Sequence, residues 1–226
     1  MKKIIAFLIC VCALIALVSC SGSGKSTVDT KDTAKDTATN AVTEAAAAKH
    51  ELARGTIENG VYTNEYAGIR FTLPGGWSYT ADEELAGMAG MAKDELNGKK
   101  LSELIEKKSV YDMMASSEDQ LYNVNVVFSS AESASSDDEF LDRTAASLKK
   151  ALDKVGVDDL VSEKVQVTLA GEARPGLQTS YVFRENGVKI FQKQAFLRYD
   201  GCVCVVTVTS AVEDRSDEFF AAFSAN

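Results

Sequence analysis

The sequence predicts an α+β fold with helices on both faces of a mostly antiparallel sheet, and three observations carry that prediction. First, Leu177 to Ser210 holds three strand-like runs, Leu177 to Arg184, Val188 to Tyr199 and Cys202 to Ser210, parted only by Asn186-Gly187 and Asp200-Gly201. Both dipeptides suit two-residue type I′ turns, because Asn, Asp and Gly accept positive φ, so the stretch reads as a three-stranded antiparallel meander. Second, the last run, Cys202-Val203-Cys204-Val205-Val206-Thr207-Val208, is apolar or Thr on both sides, so both of its faces require cover. Third, helical patterns stand on either side of the meander to provide it.

Met1 to Ser19 reads as a targeting segment. Lys2 and Lys3 form a positive start, and Ile4 to Val18 are fifteen apolar residues, short of the roughly 20 that a membrane-spanning helix needs. The run ends in Leu17-Val18-Ser19-Cys20. These four residues resemble the lipobox of bacterial lipoproteins. That resemblance implies cleavage before Cys20, a diacylglyceryl group on its thiol, palmitate-type acyl chains and a place on the extracytoplasmic face of the cell membrane. One acyl chain binds a bilayer only marginally, whereas two or more anchor stably. Residues 20–56 then read as a lipidated N-terminus and flexible linker, opening with Ser21-Gly22-Ser23-Gly24 and with a typical reach of roughly 30–35 Å. Ser23-Gly24-Lys25-Ser26-Thr27 imitates the end of a phosphate-binding loop. Its first glycine is replaced by Ser19 and no helical pattern follows, so no nucleotide site is expected.

The globular domain is expected over 57–226. Val61-Tyr62 starts it, and Ile69, Phe71 and Leu73 alternate with Arg70 and Thr72 as in a half-buried strand that stops at Pro74-Gly75-Gly76. Thr80 and Glu83 have the spacing of a capping box, which predicts a helix from Ala81 to about Leu96, made irregular by Gly87 and Gly90. Leu101 to Lys107 adds a turn or two of helix. Val110 to Ala115 and Leu121 to Ser129 read as a strand pair. Ser136 and Glu139 form a second capping box for a helix from Asp137 to about Val155, ended by Gly156. Val161 to Leu169 alternates cleanly, as an edge strand does. After the meander, Glu213 to Phe223 reads as a short helix with Phe219, Phe220 and Phe223 inward.

With that order of elements, the segment from Asn64 to Trp77, which includes Gly68-Ile69-x-Phe71-x-Leu73-Pro74-x-x-Trp77, resembles the Mog1/PsbP-like domains. The resemblance implies a single α-β-α sandwich and covers roughly 165 residues. The family shares no catalytic residues, and its members bind different partners, so the resemblance assigns no site.

The net charge of −9 becomes two units more negative once Lys2 and Lys3 leave with the leader, and such a surface repels phosphate backbones. No nucleic-acid partner is expected. His50 is the only histidine and falls in the linker, where it cannot be held against a nucleophile or serve a packed metal site. Cys202 and Cys204, at i and i+2 on one strand, face the same side with parallel side chains at the edge of the disulfide range. They fit buried free thiols, with a two-thiolate metal or redox site as the alternative. Asp82-Glu83-Glu84 and Asp137-Asp138-Glu139 fall at helix starts, where negative charge is favoured without any ligand. Met113-Met114 and Trp77 fit the core. Lipid attachment at Cys20 is the one site expected, with no catalytic residue, metal or cofactor. The functional expectation is a membrane-anchored, non-catalytic binding or assembly module that meets an envelope protein or ligand. A lipid-anchored hydrolase using carboxylates is the alternative.

Overall fold

The structure is a computed structural model that describes residues 50–226 apart from 132, 133 and 135; Cys20, the leader and the linker up to residue 49 lie outside the described residues. In chain order the elements are β1 (Thr56–Glu58), β2 (Val61–Asn64), β3 (Ile69–Thr72), β4 (Trp77–Tyr79), α1 (Asp82–Met88), α2 (Lys93–Gly98), α3 (Leu101–Ile105), β5 (Val110–Ser117) and β6 (Tyr122–Ser130). Then come α4 (Asp137–Val155), β7 (Val157–Leu169), β8 (Glu172–Phe183), β9 (Lys189–Tyr199), β10 (Cys202–Ala211), α5 (Ser216–Phe220) and β11 (Phe223–Ala225). The class is α+β, and every strand pairing is antiparallel.

Two sheets form where one was expected. The larger runs β4-β5-β6-β10-β9-β8-β7, and the smaller runs β1-β2-β3-β11. Strand β10 sits at the centre of the larger sheet, and all ten of its residues are buried, as its two-sided apolar pattern requires. One face carries Val203 and Val205 of β10 with Leu177 and Phe196, and α4 covers them with Leu141. The opposite face carries Cys204, Val206 and Val208. They share one core with Tyr62, Ile69 and Phe71 of the smaller sheet and with Leu85, Leu96 and Leu101 of the short helices. Val61-Tyr62 and the alternating Ile69 and Phe71 marked β2 and β3, but β1 and β11 are three residues each, too short for alternation to register, so the separate sheet they complete was not legible.

The turns differ from expectation in an instructive way. Neither Asn186 nor Asp200 takes positive φ; only Gly187 and Gly201 do, at 70° and 75°. Asn186-Gly187 belongs to a four-residue loop closed by Phe183 and Val188, whose amide and carbonyl pair at 2.9 Å. Type I′ geometry is found instead at Asn59-Gly60 and at Ala170-Gly171, where both residues have positive φ and each joins adjacent ladder partners. Strand β8 starts at Glu172 rather than Leu177, and it tolerates Pro175 because the β9 ladder begins only at Gly176.

The expected Ala81 to Leu96 helix is two helices, broken at Gly90, which has φ 63°. Thr80 does not cap it. Its amide donates to Met114 O as an extension of β4, and Ala81 becomes the N-cap with no side-chain bond. The second capping box does form, with Glu139 N donating to Ser136 Oγ and Gly156 closing α4 at φ 82°. The last helix is only Ser216–Phe220, after which the chain extends into β11 beside β3.

Candidate functional site

Strand β5 organises both polar sites of the body. Between Tyr111 and Met113 its pairing with β6 slips by one residue, so Asp112 is the extra residue of a β-bulge. The bulge turns the Asp112 side chain toward the smaller sheet, where it has no solvent exposure. Its carboxylate accepts from Tyr62 Oη at 2.5 Å, Asn64 Nδ2 at 2.9 Å, Gly55 N at 2.9 Å and Arg54 Nε at 3.2 Å. Arg54 also donates to Asp82 Oδ1 and Asn97 Oδ1. A carboxylate with this many fixed donors and no path to water has its lone pairs committed, so it is a structural knot. Beside it, Cys202 and Cys204 are free and buried, and burial raises both thiols above their usual value. A neutral buried thiol is a poor nucleophile and a poor metal ligand. Among the described residues no group of three metal-ligating side chains occurs.

Residues 50–55, expected at the end of the flexible linker, make firm contacts. Leu52 packs on the core, Arg54 and Gly55 hold Asp112, and His50 Nδ1 lies 3.3 Å from Glu65 Oε2. The acidic runs at helix starts are taken up in ion pairs: Asp82 with Arg54, Asp137 with Arg198 and Asp138 with Lys164. Met113 and Met114 are buried in β5.

Trp77 packs against the core, as expected, but from its rim. It is half-buried and lines an open cleft of about 620 Å³ at the far end of β5 from Val110. The rim comes from three turns or helices: Pro74-Gly75-Gly76 before β4, Glu118 and Asp119 between β5 and β6, and Arg215 and Glu218 at α5. The floor is aromatic. Phe219 lies 4.7 Å from Trp77 and 5.2 Å from Tyr122, ring centre to ring centre. Arg215 lies over this floor, 5.0 Å from the Tyr122 ring and 5.4 Å from the Phe219 ring, and clamps Glu218 with Nε at 2.8 Å and Nη2 at 2.5 Å. Tyr122 Oη donates to Glu213 at 3.0 Å. The Ser117 hydroxyl and the Leu121 amide donate to Asp119 and hold its carboxyl below the usual range, so it is ionised at neutral pH. The turn after β10 brings Arg215 here through a strained step. Val212 has φ 76° and Glu213 N donates back to Ala211 O, a γ-turn centred on a β-branched residue.

The result is an open, aromatic-floored cleft whose one arginine is already ion-paired. Its shape leaves a bound molecule open to water, and the Glu218 carboxylate is engaged by Arg215. Sequence reasoning missed it because its parts come from residues 74–77, 117–122 and 215–219. The one available signal was Trp77 directly after a Pro-Gly-Gly stop.

No protein-family model matches the chain, and no curated protein matches it. Among solved structures it is similar to the protein of unknown function PA94 from Pseudomonas aeruginosa, at 19% identity over 42% of this chain and 61% of that one, with a TM-score of 0.26. The chain therefore spans less than two thirds of that neighbour, and the likeness is too slight to carry any statement about activity.

Proposed function

We propose that this chain is a lipoprotein anchored through Cys20 to the extracytoplasmic face of the cell membrane, and that its body, a Mog1/PsbP-like α-β-α sandwich, is a non-catalytic binding or assembly module. The observation that carries the binding role is the cleft, where Arg215 lies over Tyr122 and Phe219 and Trp77 packs against Phe219 beside them. Tryptophan, tyrosine and arginine are the residue types that dominate measured interface energetics, and here they converge in one place. The Leu17-Val18-Ser19-Cys20 motif supports the anchor, and the linker that follows it supplies reach.

Two experiments test the two halves separately. Cys20→Ala abolishes labelling by a fatty-acid analogue and releases the protein from the membrane fraction; unchanged labelling refutes the anchor. Crosslinking on intact cells from a photoreactive residue at Ser78, beside the cleft, captures an envelope protein, and Trp77→Ala with Arg215→Ala removes that product. If neither substitution alters the product, the cleft is not the contact surface.

A further inference from the structure

We propose that the occupant of the cleft is a basic, extended segment of a partner polypeptide, an inference that rests on the binding-module reading and names the chemistry of its partner. Three carboxylates line the cleft, Glu118, Asp119 and Glu218, against one cation, Arg215. That cation is already consumed by its two bonds to Glu218. The carboxylate of Glu118 has no partner among the described residues, and Asp119 is held ionised. The cleft therefore presents uncompensated negative charge, which draws in cations and repels phosphate, acidic peptides and anionic lipid.

Arg215 also shows which cation suits the floor. Its guanidinium lies over Tyr122 and Phe219 while a carboxylate closes on its edge. Trp77, on the other side of Phe219, offers a second aromatic face next to the unpaired Glu118, so an incoming Arg or Lys meets the same combination. A polypeptide fits better than a small polyamine because the cleft is open and encloses nothing, whereas small-ligand sites bury most of their ligand. An extended segment also has somewhere to lie. Strand β4 is an edge of the larger sheet, paired with β5 alone, and it carries Trp77. Alternate side chains of a strand laid along that edge point to one face, which places basic residues at every second position over the cleft.

The chain contains a single tryptophan, Trp77, so its fluorescence reports on the cleft directly. The full lipoprotein in neutral detergent is titrated with acetyl-Arg-Leu-Arg-Leu-Arg-amide, with the Glu-for-Arg version of that peptide, and with spermidine. The basic peptide gives a saturable change in Trp77 emission at low salt that weakens severalfold as screening shortens the reach of the charges. Glu118→Gln with Asp119→Asn weakens it about tenfold, from two exposed pairs of about 0.7 kcal/mol each. Glu106→Gln, beyond the other end of β5, leaves it unchanged. No saturable change, an equal response to the acidic peptide, or binding indifferent to the double substitution overturns the inference. Spermidine binding as tightly as the peptide overturns the polypeptide occupant. The Ser78 crosslink separates this failure from failure of the module itself. A captured partner whose contacting segment is neutral or acidic refutes the basic segment alone, and absence of any cleft-dependent product refutes both.

Discussion

Replacing Arg54 by Met tests whether the knot at Asp112 holds the body together. The substitution keeps an apolar stem but removes the Nε bond to Asp112 Oδ1, the Nη2 bonds to Asp112 O and Asp82, and the Nη1 bond to Asn97. Removing one partner of a fully buried ion pair costs about 3–5 kcal/mol. Here the cost is lower, about 2 kcal/mol, because the Arg54 side chain is 19% exposed and Tyr62, Asn64 and Gly55 still donate to the carboxylate. For a domain of this size that is a fall in Tm of about 4–8 °C. Urea unfolding followed by Trp77 emission gives the midpoint, with an unchanged slope showing that the unfolded state is not at issue. The control is Lys100→Met, which breaks a 2.9 Å pair with Glu51 whose side chains are 68% and 72% exposed, and it leaves the midpoint essentially unchanged. If Arg54→Met and Lys100→Met are equally mild, burial of Asp112 is not what makes Arg54 matter.

Three further outcomes are expected. Stability falls on the alkaline side: burial raises Tyr62 and Cys204 well above their usual values, so their contribution is complete below the unfolded pKa and lost as pH rises past it. Urea midpoints stay level to pH 8, then decline from about pH 8.5 for the thiol and more steeply above about pH 10, at about 1.4 kcal/mol per pH unit per group, and Cys204→Ala flattens the first part. Val212→Gly stabilises by about 0.5–1 kcal/mol, since Val212 is 67% exposed and gains relief from φ 76°; a destabilised variant refutes the strain. Gly176→Ala destabilises by at least about 2 kcal/mol, because its Cβ falls 2.4 Å from Gln194 O and 2.5 Å from Val167 Cγ2, and thermal melts measure the loss.

What the sequence disclosed was whatever is encoded locally. The meander, the α4 capping box, the αL stop at Gly156 and the position of β7 at a sheet edge each depend on neighbours within a few residues, and each is present. The capping box at Thr80 failed because the competing claim came from elsewhere in the chain, from Met114 O on β5. Asp112 gave a faint signal as a lone acid inside an apolar run, but Arg54 and Tyr62, 58 and 50 residues away, could not be read as its partners. The cleft was invisible for the same reason. Trp77 looks like core by type, and only the arrival of α5 and the β5–β6 turn leaves one side of it open.

The two polar features of β5 also fix where the cleft lies relative to the start of the described chain. Asp112 grips Arg54 and Gly55 at one point on the strand, and the cleft begins five residues later at Ser117, about 17 Å along an extended chain. Residues 50–55 are tied to the body, Leu52 through the core and Arg54 and Gly55 through Asp112, so this entering segment and the cleft are held by one framework and move together. Loss of the Arg54 bonds alone therefore leaves the entering segment attached, since Leu52 still packs on the core and Gly55 N still donates to Asp112.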